Sequence, residues 1–587
     1  MNWSSEDLEA SENTYNRKKG WRNTNKIKVR SIILVLYMKP FDVKKEFFII
    51  IFIFIIAVIL SLDLFLHTGR PTTFDGPTHI TNIAQTYKGL MEGEFPVRWG
   101  DGFARYGLPA PMIAQQVPSY MGAIITIATQ DVVSSYNLTV VISAFLATFL
   151  LYYFLRLYIS PISALSGAFL FNFAPYRIMN IYIRGALPEF FASVFILLIL
   201  ISIYYAIEKE KSWSYILMTI AIALLLLTHP FMVVVSSILF IPYGVWILLK
   251  KENRIKKIIG VTVAGGFAIG LTAYYLFPLF IEIRYFNYGT SLDHFSEGHF
   301  LSLRHFFVEE WFYMKNDTGP REHWHLGGIF ETSILIIASI FTVWRYVKIK
   351  KIDLITILSG VGIIYVLFTL PITEFIYKNI IFLGNIQHPW RMLTGFILVP
   401  PILLGFLIEK TDKKIWFLII TIIIVAILRF PQLYGKNYTD YPQQSYFLTD
   451  YNLHGHFMNT VWMGKERDYP YQNTKVHIIE GEGTITESVV HNSSRAYTVE
   501  AQTDIRMVDY TFYFPGWKVY VDGVETPIQF QDPNYRGVIT YNVPAGNHKV
   551  RLKFEETKIR IFGNAVSIAA MIGVISIYYI NRRYKFV

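Results

Sequence analysis

The sequence contains no cysteine, and charged residues make up only 17% of its 587 residues. The absence of cysteine excludes disulfides, thiolate metal ligands and a cysteine nucleophile. Hydrophobic residues account for 53%, and apolar runs of about 18 or more residues, long enough to cross a bilayer core, recur along the chain. The low charge and the recurring apolar runs exclude a soluble fold and predict a polytopic α-helical membrane protein.

Lysine and arginine give the chain a net charge of +11, but they cluster at the ends of the apolar runs. Basic residues at such positions orient a membrane protein, so we expect no nucleic-acid partner. Residues 1–45 form a basic tail that is too long and polar for a cleavable signal, and we interpret it as cytosolic and partly disordered. One orientation, with about 12 or 13 spans and cytosolic termini, then agrees with every charged loop.

This orientation divides the chain into a tail and three further parts. A transmembrane body covers 46–435, with outer loops at 67–134 and 282–330. Residues 436–557 form an extracytoplasmic domain, and 558–587 contain a final transmembrane helix and a short cytosolic tail. The richness in Ile, Lys and Asn indicates an AT-rich bacterial genome, so we expect a multi-pass protein of the bacterial cytoplasmic membrane.

The segment 436–557 alternates apolar and polar residues in KVYV, VITYNV and KVRLKF. A period of two is typical of strands with one buried face. Asp522-Gly523 and Ala545-Gly546 are signals for hairpin turns. The segment therefore predicts an antiparallel β-sandwich on the outer face, tethered to the membrane at both ends.

Polar residues close to the membrane are functional candidates because they are costly there. Asp75 follows the first apolar run, in TFDGPTHI, and two interpretations of it carry equal weight. Asp before Gly-Pro favours a helix start, so Asp75 caps a helix. Alternatively, its carboxylate is a general base or cation ligand at the edge of a cavity. The two roles are compatible, because capping would fix the carboxylate in place.

Five further residues on the outer face are candidate substrate ligands: His79, Arg98, Arg184, His388 and Arg391. His79 lies one helical turn after the candidate base, with a structural interfacial histidine as the alternative. Arg184 and Arg391 each lie where a span begins at the outer membrane surface, and the N-terminus of a helix itself favours an anion. Guanidinium groups suit phosphate, whereas contact with lipid head groups is the alternative for Arg98.

The outer loop 282–330 contains HWH at 323–325. Its spacing matches no strong zinc pattern, so we predict no metal site there, and a divalent cation elsewhere is left open. We expect this loop to close over a substrate, with a solvated loop as the alternative.

Several motifs together resemble a known family. DGPTHI and GEFPVRW follow the first span, PWRML opens a late span, and FPGWKVYVDG with VPAGNHKVRLKF precedes the last span. They resemble YfhO-like bacterial membrane proteins and the neighbouring 6-pyruvoyl-tetrahydropterin-synthase-related family, within the GT-C glycosyltransferase superfamily. The resemblance covers most of the chain from residue 45 onward and implies a GT-C-like body.

This resemblance implies transfer of a sugar from a polyprenyl-phosphate donor to a cell-envelope polymer or glycolipid outside the cytoplasmic membrane. The acidic residue of the first outer loop is catalytic in such enzymes, and Asp75 matches it by position. Many members have an acidic pair there, whereas Asp75 has no adjacent carboxylate, so metal dependence is open. Asp75 would be the general base, and Arg391, with Arg184 or Arg98, would hold a phosphate.

Two other functions are compatible with the sequence. A transporter or flippase for a lipid-linked glycan predicts charges near the membrane midplane and broken helices in matched halves. A non-catalytic scaffold would present the β-domain to cell-envelope assembly. The charges gather at the outer edge, which favours the enzyme.

Overall fold

The structure is a computed structural model that describes residues 43–287, 299–309, 326–350, 352–384, 386–449, 459–464, 469 and 472–584. All features discussed below, apart from the start of the helix Glu46–Ser61, belong to the second of its two units, which begins at Phe52. The predicted tail up to residue 42 and the HWH motif at 323–325 lie outside the described residues.

The body consists of apolar helices. Seven described helices are long and apolar enough to cross a membrane, or nine if each of two bent pairs forms one span. The seven are Val132–Arg156, Leu187–Glu208, Pro230–Leu248, Ile329–Lys348, Pro389–Glu409, Lys414–Gln432 and Lys558–Ile580. The bent pairs are Arg254–Leu271 with Ala273–Tyr285, and Leu354–Thr369 with Pro371–Asn379. The predicted polytopic helical protein is confirmed at this level.

The count of 12 or 13 spans stays a prediction. Three further predicted spans coincide with described helices that are shorter than the usual span: Glu46–Ser61, Pro161–Asn172 and Trp213–Thr228. A helix needs about 20 apolar residues to cross a bilayer core without local adjustment. Sequence hydropathy detects apolar runs, whereas the structure decides where each helix begins and ends.

Shorter helices connect the spans. The longest of them, Gly76–Met91 and Gln116–Thr129, pack against each other and against the span Val132–Arg156. Gly76–Met91 has proline in its first turn, where the missing N–H costs nothing. The other short helices are Asp63–Leu66, Phe103–Arg105, Ala110–Ile113, Pro175–Tyr182, Leu303–Phe306, Ile381–Gly384 and Gln444–Phe447.

Eight strands form the C-terminal domain. They are β1 (Val476–Glu480), β2 (Gly483–Val490), β3 (Ser494–Ala501), β4 (Ile505–Phe512), β5 (Trp517–Val521), β6 (Val524–Thr526), β7 (Val538–Val543) and β8 (Gly546–Phe554). One sheet has the order β1-β4-β7 and the other β2-β3-β8-β5-β6, and all pairs are antiparallel. Side chains from both sheets share one core, so the predicted antiparallel domain is confirmed.

One of the two predicted hairpin turns is present. Asp522 and Gly523 have φ of 48° and 86° and join the paired strands β5 and β6, as a tight turn with two left-handed residues requires. Ala545-Gly546 instead joins β7 to β8, which belong to different sheets. The prediction of a hairpin there is wrong, because a local turn signal does not determine which strands pair.

The loop 67–134 enters the core of the β-domain. Trp99 is fully buried, and its ring lies 5.2 Å from Trp517 and 5.1 Å from Phe554. Asn492, also buried, donates to the Trp99 carbonyl at 2.7 Å and accepts from the amide of Asp101 at 3.0 Å. The stretch that begins at the helix Gly76–Met91 therefore ends inside the β-domain, and the domain is fixed to that loop.

Candidate functional site

The loop that carries Asp75 lies directly against the loop that carries Arg184. The amide of Asp75 donates to the carbonyl of Arg184 at 2.7 Å. Gly185 has φ of +67°, and a β-carbon there would lie 2.6 Å from the amide nitrogen of Gly76. The two glycines allow a backbone approach that side chains would block, and this approach places Asp75 beside Arg184.

The Asp75 carboxylate is free of its own helix. Asp75 occupies the N-cap position of Gly76–Met91 with φ −100° and ψ −16°, and its side chain makes no capping hydrogen bond. Capping side chains usually require extended backbone angles, so the interpretation of Asp75 as a capping side chain is wrong. The carboxylate is 47% exposed, and its Oδ2 lies 3.7 Å from Nη2 of Arg184. At this distance Asp75 and Arg184 form an ion pair, but the two atoms are too far apart for a hydrogen bond, so Oδ2 of Asp75 can still accept one from a ligand.

Glu189 is the buried centre of the polar cluster around Asp75, with 2% of its side chain exposed. It accepts hydrogen bonds from Arg184 Nη1 at 2.8 Å, from Thr394 Oγ1 at 2.7 Å and from the Tyr176 hydroxyl. Nε of Arg391 lies 3.8 Å from its Oε2. A buried carboxylate needs such partners to remain charged. Glu189 therefore connects the segments that carry Arg184 and Arg391.

Glu189 is not among the site residues that the sequence patterns predict. The signal that could have found it is an ionisable residue in the first turn of a span, five residues after Arg184. Ionisable residues within spans are rare and usually face protein partners. Which partners surround Glu189 depends on a helix more than 200 residues away in sequence.

Arg184 also begins a column of stacked groups. Its guanidinium lies 4.4 Å from the centroid of the Trp390 ring. Trp390 stacks on His388 at 4.8 Å with an angle of 9° between the rings, and His388 lies 4.7 Å from His299. Cation–π contacts of this kind hold a guanidinium in one plane. The predicted ligands Arg184 and His388 are thus brought together, and a residue of the loop 282–330 joins them.

Arg391 is anchored by one end of its side chain. Its Nη1 donates to the Ile386 carbonyl at 2.9 Å and to Gln387 Oε1 at 3.0 Å. Within the described part of the chain, its Nε has no hydrogen-bond partner. The side chain is 14% exposed. The guanidinium therefore retains donor capacity toward an anion beside the cluster.

His79 lies next to the pair formed by Asp75 and Arg184. Desolvation lowers the pKa of His79 to about 4, although Asp75 acts in the opposite direction. His79 is therefore neutral near pH 7 and offers a hydrogen bond rather than a positive charge. His229, which precedes the span Pro230–Leu248 and makes no capping hydrogen bond with its side chain, is buried, and its Nδ1 has no hydrogen-bond partner among the described residues.

The structure does not bring Arg98 to this cluster. Its guanidinium pairs with Glu556 at 3.0 Å, donates to Asn564 at 2.9 Å and donates to the Tyr274 carbonyl at 2.8 Å. These partners lie at the end of the β-domain, on the last helix and on the bent helix pair. Arg98 therefore ties the β-domain to the body, and its predicted role as a substrate ligand has no geometric support.

No group of three or more His, Asp or Glu side chains that could hold a metal ion occurs in the part of the chain that the structure describes. Asp75 has one acidic neighbour in the cluster, Glu189, whose oxygens already accept hydrogen bonds. The divalent cation left open by the sequence stays a prediction.

The helices and the buried ionic cluster define a polytopic membrane protein with a polar site at one end of its body. The chain belongs to a family of membrane proteins, that of the 6-pyruvoyl-tetrahydropterin synthase related domain, whose family model matches residues 116–436. The match covers more than half of the chain and includes Arg184, Glu189 and Arg391, whereas Asp75 precedes it. The family inferred from the motifs is confirmed.

Two crystal structures of an oligosaccharyltransferase from Archaeoglobus fulgidus are similar to this chain. The apo form has 13% sequence identity and a TM-score of 0.39, and the match covers 72% of this chain and 61% of that protein. The complex with Zn and sulfate has 12% identity and a TM-score of 0.37, with coverage of 66% and 52%. This chain thus spans less than two thirds of those proteins. No curated protein matches the sequence.

Proposed function

We propose that this protein is a membrane glycosyltransferase of the GT-C type. It would move a sugar from a polyprenyl-phosphate donor to a cell-envelope acceptor on the extracytoplasmic side, with Asp75 as general base. One observation carries the proposal: Asp75 is a half-exposed carboxylate that caps nothing and is held beside Arg184. Local capping does not account for this carboxylate, whereas a proton acceptor must be accessible.

The reaction needs a base and an anion site. The acceptor hydroxyl oxygen attacks the anomeric carbon, its proton passes to Asp75, and the bond from that carbon to the phosphate oxygen breaks with its electron pair on the phosphate. The leaving group is already an anion, so charge stabilisation matters more than acid catalysis. Asp75 supplies the base, and the nearby guanidinium groups supply positive charge.

Arg391 is the strongest candidate for the phosphate ligand. Arg184 is committed to Glu189, Tyr176 and Asn180 by hydrogen bonds of 2.8 to 3.1 Å, so it positions Asp75 rather than receives a ligand. Arg391 donates hydrogen bonds through Nη1 alone among the described residues, and its Nε faces Glu189 at 3.8 Å. Guanidinium forks bind phosphate with paired hydrogen bonds. His388 would complete this side of the site as a neutral donor.

The basic loops between the spans indicate on which side of the membrane the Asp75 cluster lies. Two short loops, 208–212 (EKEKS) and 250–257 (KKENRIKK), connect spans at the end of the body opposite to Asp75. Loops rich in lysine and arginine remain cytosolic. The cluster and the β-domain then face the outside, where lipid-linked donors and cell-envelope acceptors meet.

The test compares the wild-type protein with Asp75→Asn in proteoliposomes. A panel of radiolabelled polyprenyl-phosphate hexoses and pentoses serves as donor, and delipidated cell envelope serves as acceptor. We expect Asp75→Asn to lower the transfer rate about 100- to 10,000-fold, the usual contribution of a general base. Its thermal midpoint should change little, because the half-exposed side chain makes no capping hydrogen bond and its ion pair with Arg184 is long, at 3.7 Å.

Asp131→Asn is the matched control. Asp131 caps the span Val132–Arg156 through its side chain, and asparagine caps a helix about as well as aspartate, so this substitution should leave both stability and transfer intact. Transfer by Asp75→Asn at the wild-type rate would refute the role of Asp75. Absence of transfer by the wild-type protein from every donor would refute the enzyme and favour the transporter or the scaffold.

A further inference from the structure

A cavity of about 430 Å³ opens at the end of the body opposite to the Asp75 cluster. Four helices contribute to its lining: Leu187–Glu208, Trp213–Thr228, Arg254–Leu271 and the last helix, Lys558–Tyr584. Its volume lies within the range of small-ligand sites. None of the residues that line it takes part in the proposed glycosyl transfer.

The helix Trp213–Thr228 fixes the distance between the two sites. Ser212 and Tyr215, at its start, line the cavity, whereas His229, beside the Asp75 cluster, follows its last residue. A helix of 16 residues is about 24 Å long. In a body that spans a membrane, the cavity therefore lies at the other membrane surface.

The mouth of the cavity carries a net positive charge. Lys256, Lys257 and Glu210 line it, which gives two ammonium groups and one carboxylate. Lys257 is 10% exposed and pairs with Glu210 at 2.8 Å. Lys256 is exposed and has no ion pair within 4 Å among the described residues. One positive charge at the mouth is thus left without a partner.

The rest of the cavity lining is uncharged. Its polar side chains are those of Ser212, Tyr215, Thr219 and Asn253, and the remaining walls are mostly apolar. The apolar lining consists of Ala206, Ile216, Val263, Ala264, Phe267, Val574 and Ile577. A soluble anion would leave these walls exposed, whereas an acyl chain would cover them.

We propose that this cavity binds one anionic phospholipid, with its phosphate at Lys256 and an acyl chain along the apolar wall. Basic pockets between transmembrane helices bind anionic head groups in this way. The neighbouring segment 250–257 adds further lysines at the same surface. The proposal is independent of the glycosyltransferase proposal, because it uses none of the same residues.

The absence of cysteine permits a direct test on the full-length protein. Ser212→Cys places a single thiol at the mouth, and Thr411→Cys places one in a loop that does not line the cavity. Each variant is reconstituted in nanodiscs of phosphatidylcholine, with or without phosphatidylglycerol. The rate of reaction with the uncharged reagent N-ethylmaleimide is followed by the mass of the intact protein.

We expect phosphatidylglycerol to slow labelling at Ser212→Cys and to leave Thr411→Cys unchanged. Adding Lys256→Gln to Ser212→Cys should weaken the protecting lipid's affinity about fivefold and so restore labelling at a lipid content that protects the parent variant. Lys256 is exposed, so this second substitution leaves folding intact. Both results together would support the anionic-lipid site.

Three outcomes would overturn the proposal. Equal protection in pure phosphatidylcholine would show an acyl-chain site without charge selectivity. Protection by inorganic phosphate in pure phosphatidylcholine would show a site for soluble anions. Protection by an added polyprenyl phosphate where phosphatidylglycerol gives none would assign the cavity to the carrier lipid instead.

Discussion

The ion pair between Arg184 and Glu189 predicts a measurable coupling between two substitutions. Both side chains are buried, at 7% and 2% exposed, and their charged atoms lie 2.8 Å apart. Arg184→Gln leaves the Glu189 carboxylate with the hydroxyls of Tyr176 and Thr394 and a guanidinium of Arg391 at 3.8 Å. Breaking a buried pair on one side costs about 3–5 kcal/mol, because the remaining charge stays desolvated.

The double substitution Arg184→Gln with Glu189→Gln should be more stable than Arg184→Gln by about 2 kcal/mol, because it removes the buried carboxylate that has lost its nearest cation. Thermal unfolding in detergent, followed by the fluorescence of the 12 tryptophans, measures the difference. For a chain of this length, about 1 kcal/mol shifts the midpoint by about 1 °C. A double variant whose loss equals the sum of the two single losses would refute the coupling.

Three further predictions follow from the same site. Asp131→Ala should lower the unfolding free energy by about 1 kcal/mol through loss of a helix cap. Asp75→Ala should leave the unfolding free energy unchanged, and equal losses in the two variants would contradict the finding that the Asp75 carboxylate caps no helix. Gly185→Ala should lower both the thermal midpoint and the rate of glycosyl transfer, because its φ of +67° and the 2.6 Å approach to Gly76 exclude a β-carbon. Gly93→Ala is the control: Gly93 has φ of +82° and open space around it, so this variant should lose stability but keep its transfer rate. Because the pKa of His79 falls to about 4 on folding, the unfolded chain binds the additional proton between about pH 4 and 6.5, and stability rises with pH across that window. His79→Gln should flatten this rise by about 2 kcal/mol, as measured by thermal midpoints at pH 4.5 and 7; an unchanged slope would show that His79 is solvated.

The fold could be predicted from the sequence as far as local patterns determine it. Apolar runs predicted the helices, and period-two segments such as KVYV predicted strands, because each pattern follows from which face of an element is buried. The hairpin at Asp522-Gly523 formed for the same reason. The turn at Ala545-Gly546 did not close a hairpin, because strand pairing depends on residues far apart in the chain.

The candidate site was only partly determined by the sequence. Charge clusters at span ends predicted that Asp75, His79, Arg184, His388 and Arg391 share one end of the body, and their contacts agree with that prediction. Their placement follows from topology alone, since a span transfers the chain to the other surface of the membrane.

What only the tertiary structure decided is which of these charges touch. The close contact between Gly76 and Gly185 places the Asp75 loop against the Arg184 loop. The buried Glu189 pairs with both Arg184 and Arg391, which lie far apart in the sequence. Arg98 is close to Asp75 in sequence, but it contacts the last helix instead, because the neighbouring Trp99 packs into the core of the β-domain. Sequence patterns report burial and sidedness, whereas contacts between remote segments depend on how whole elements pack.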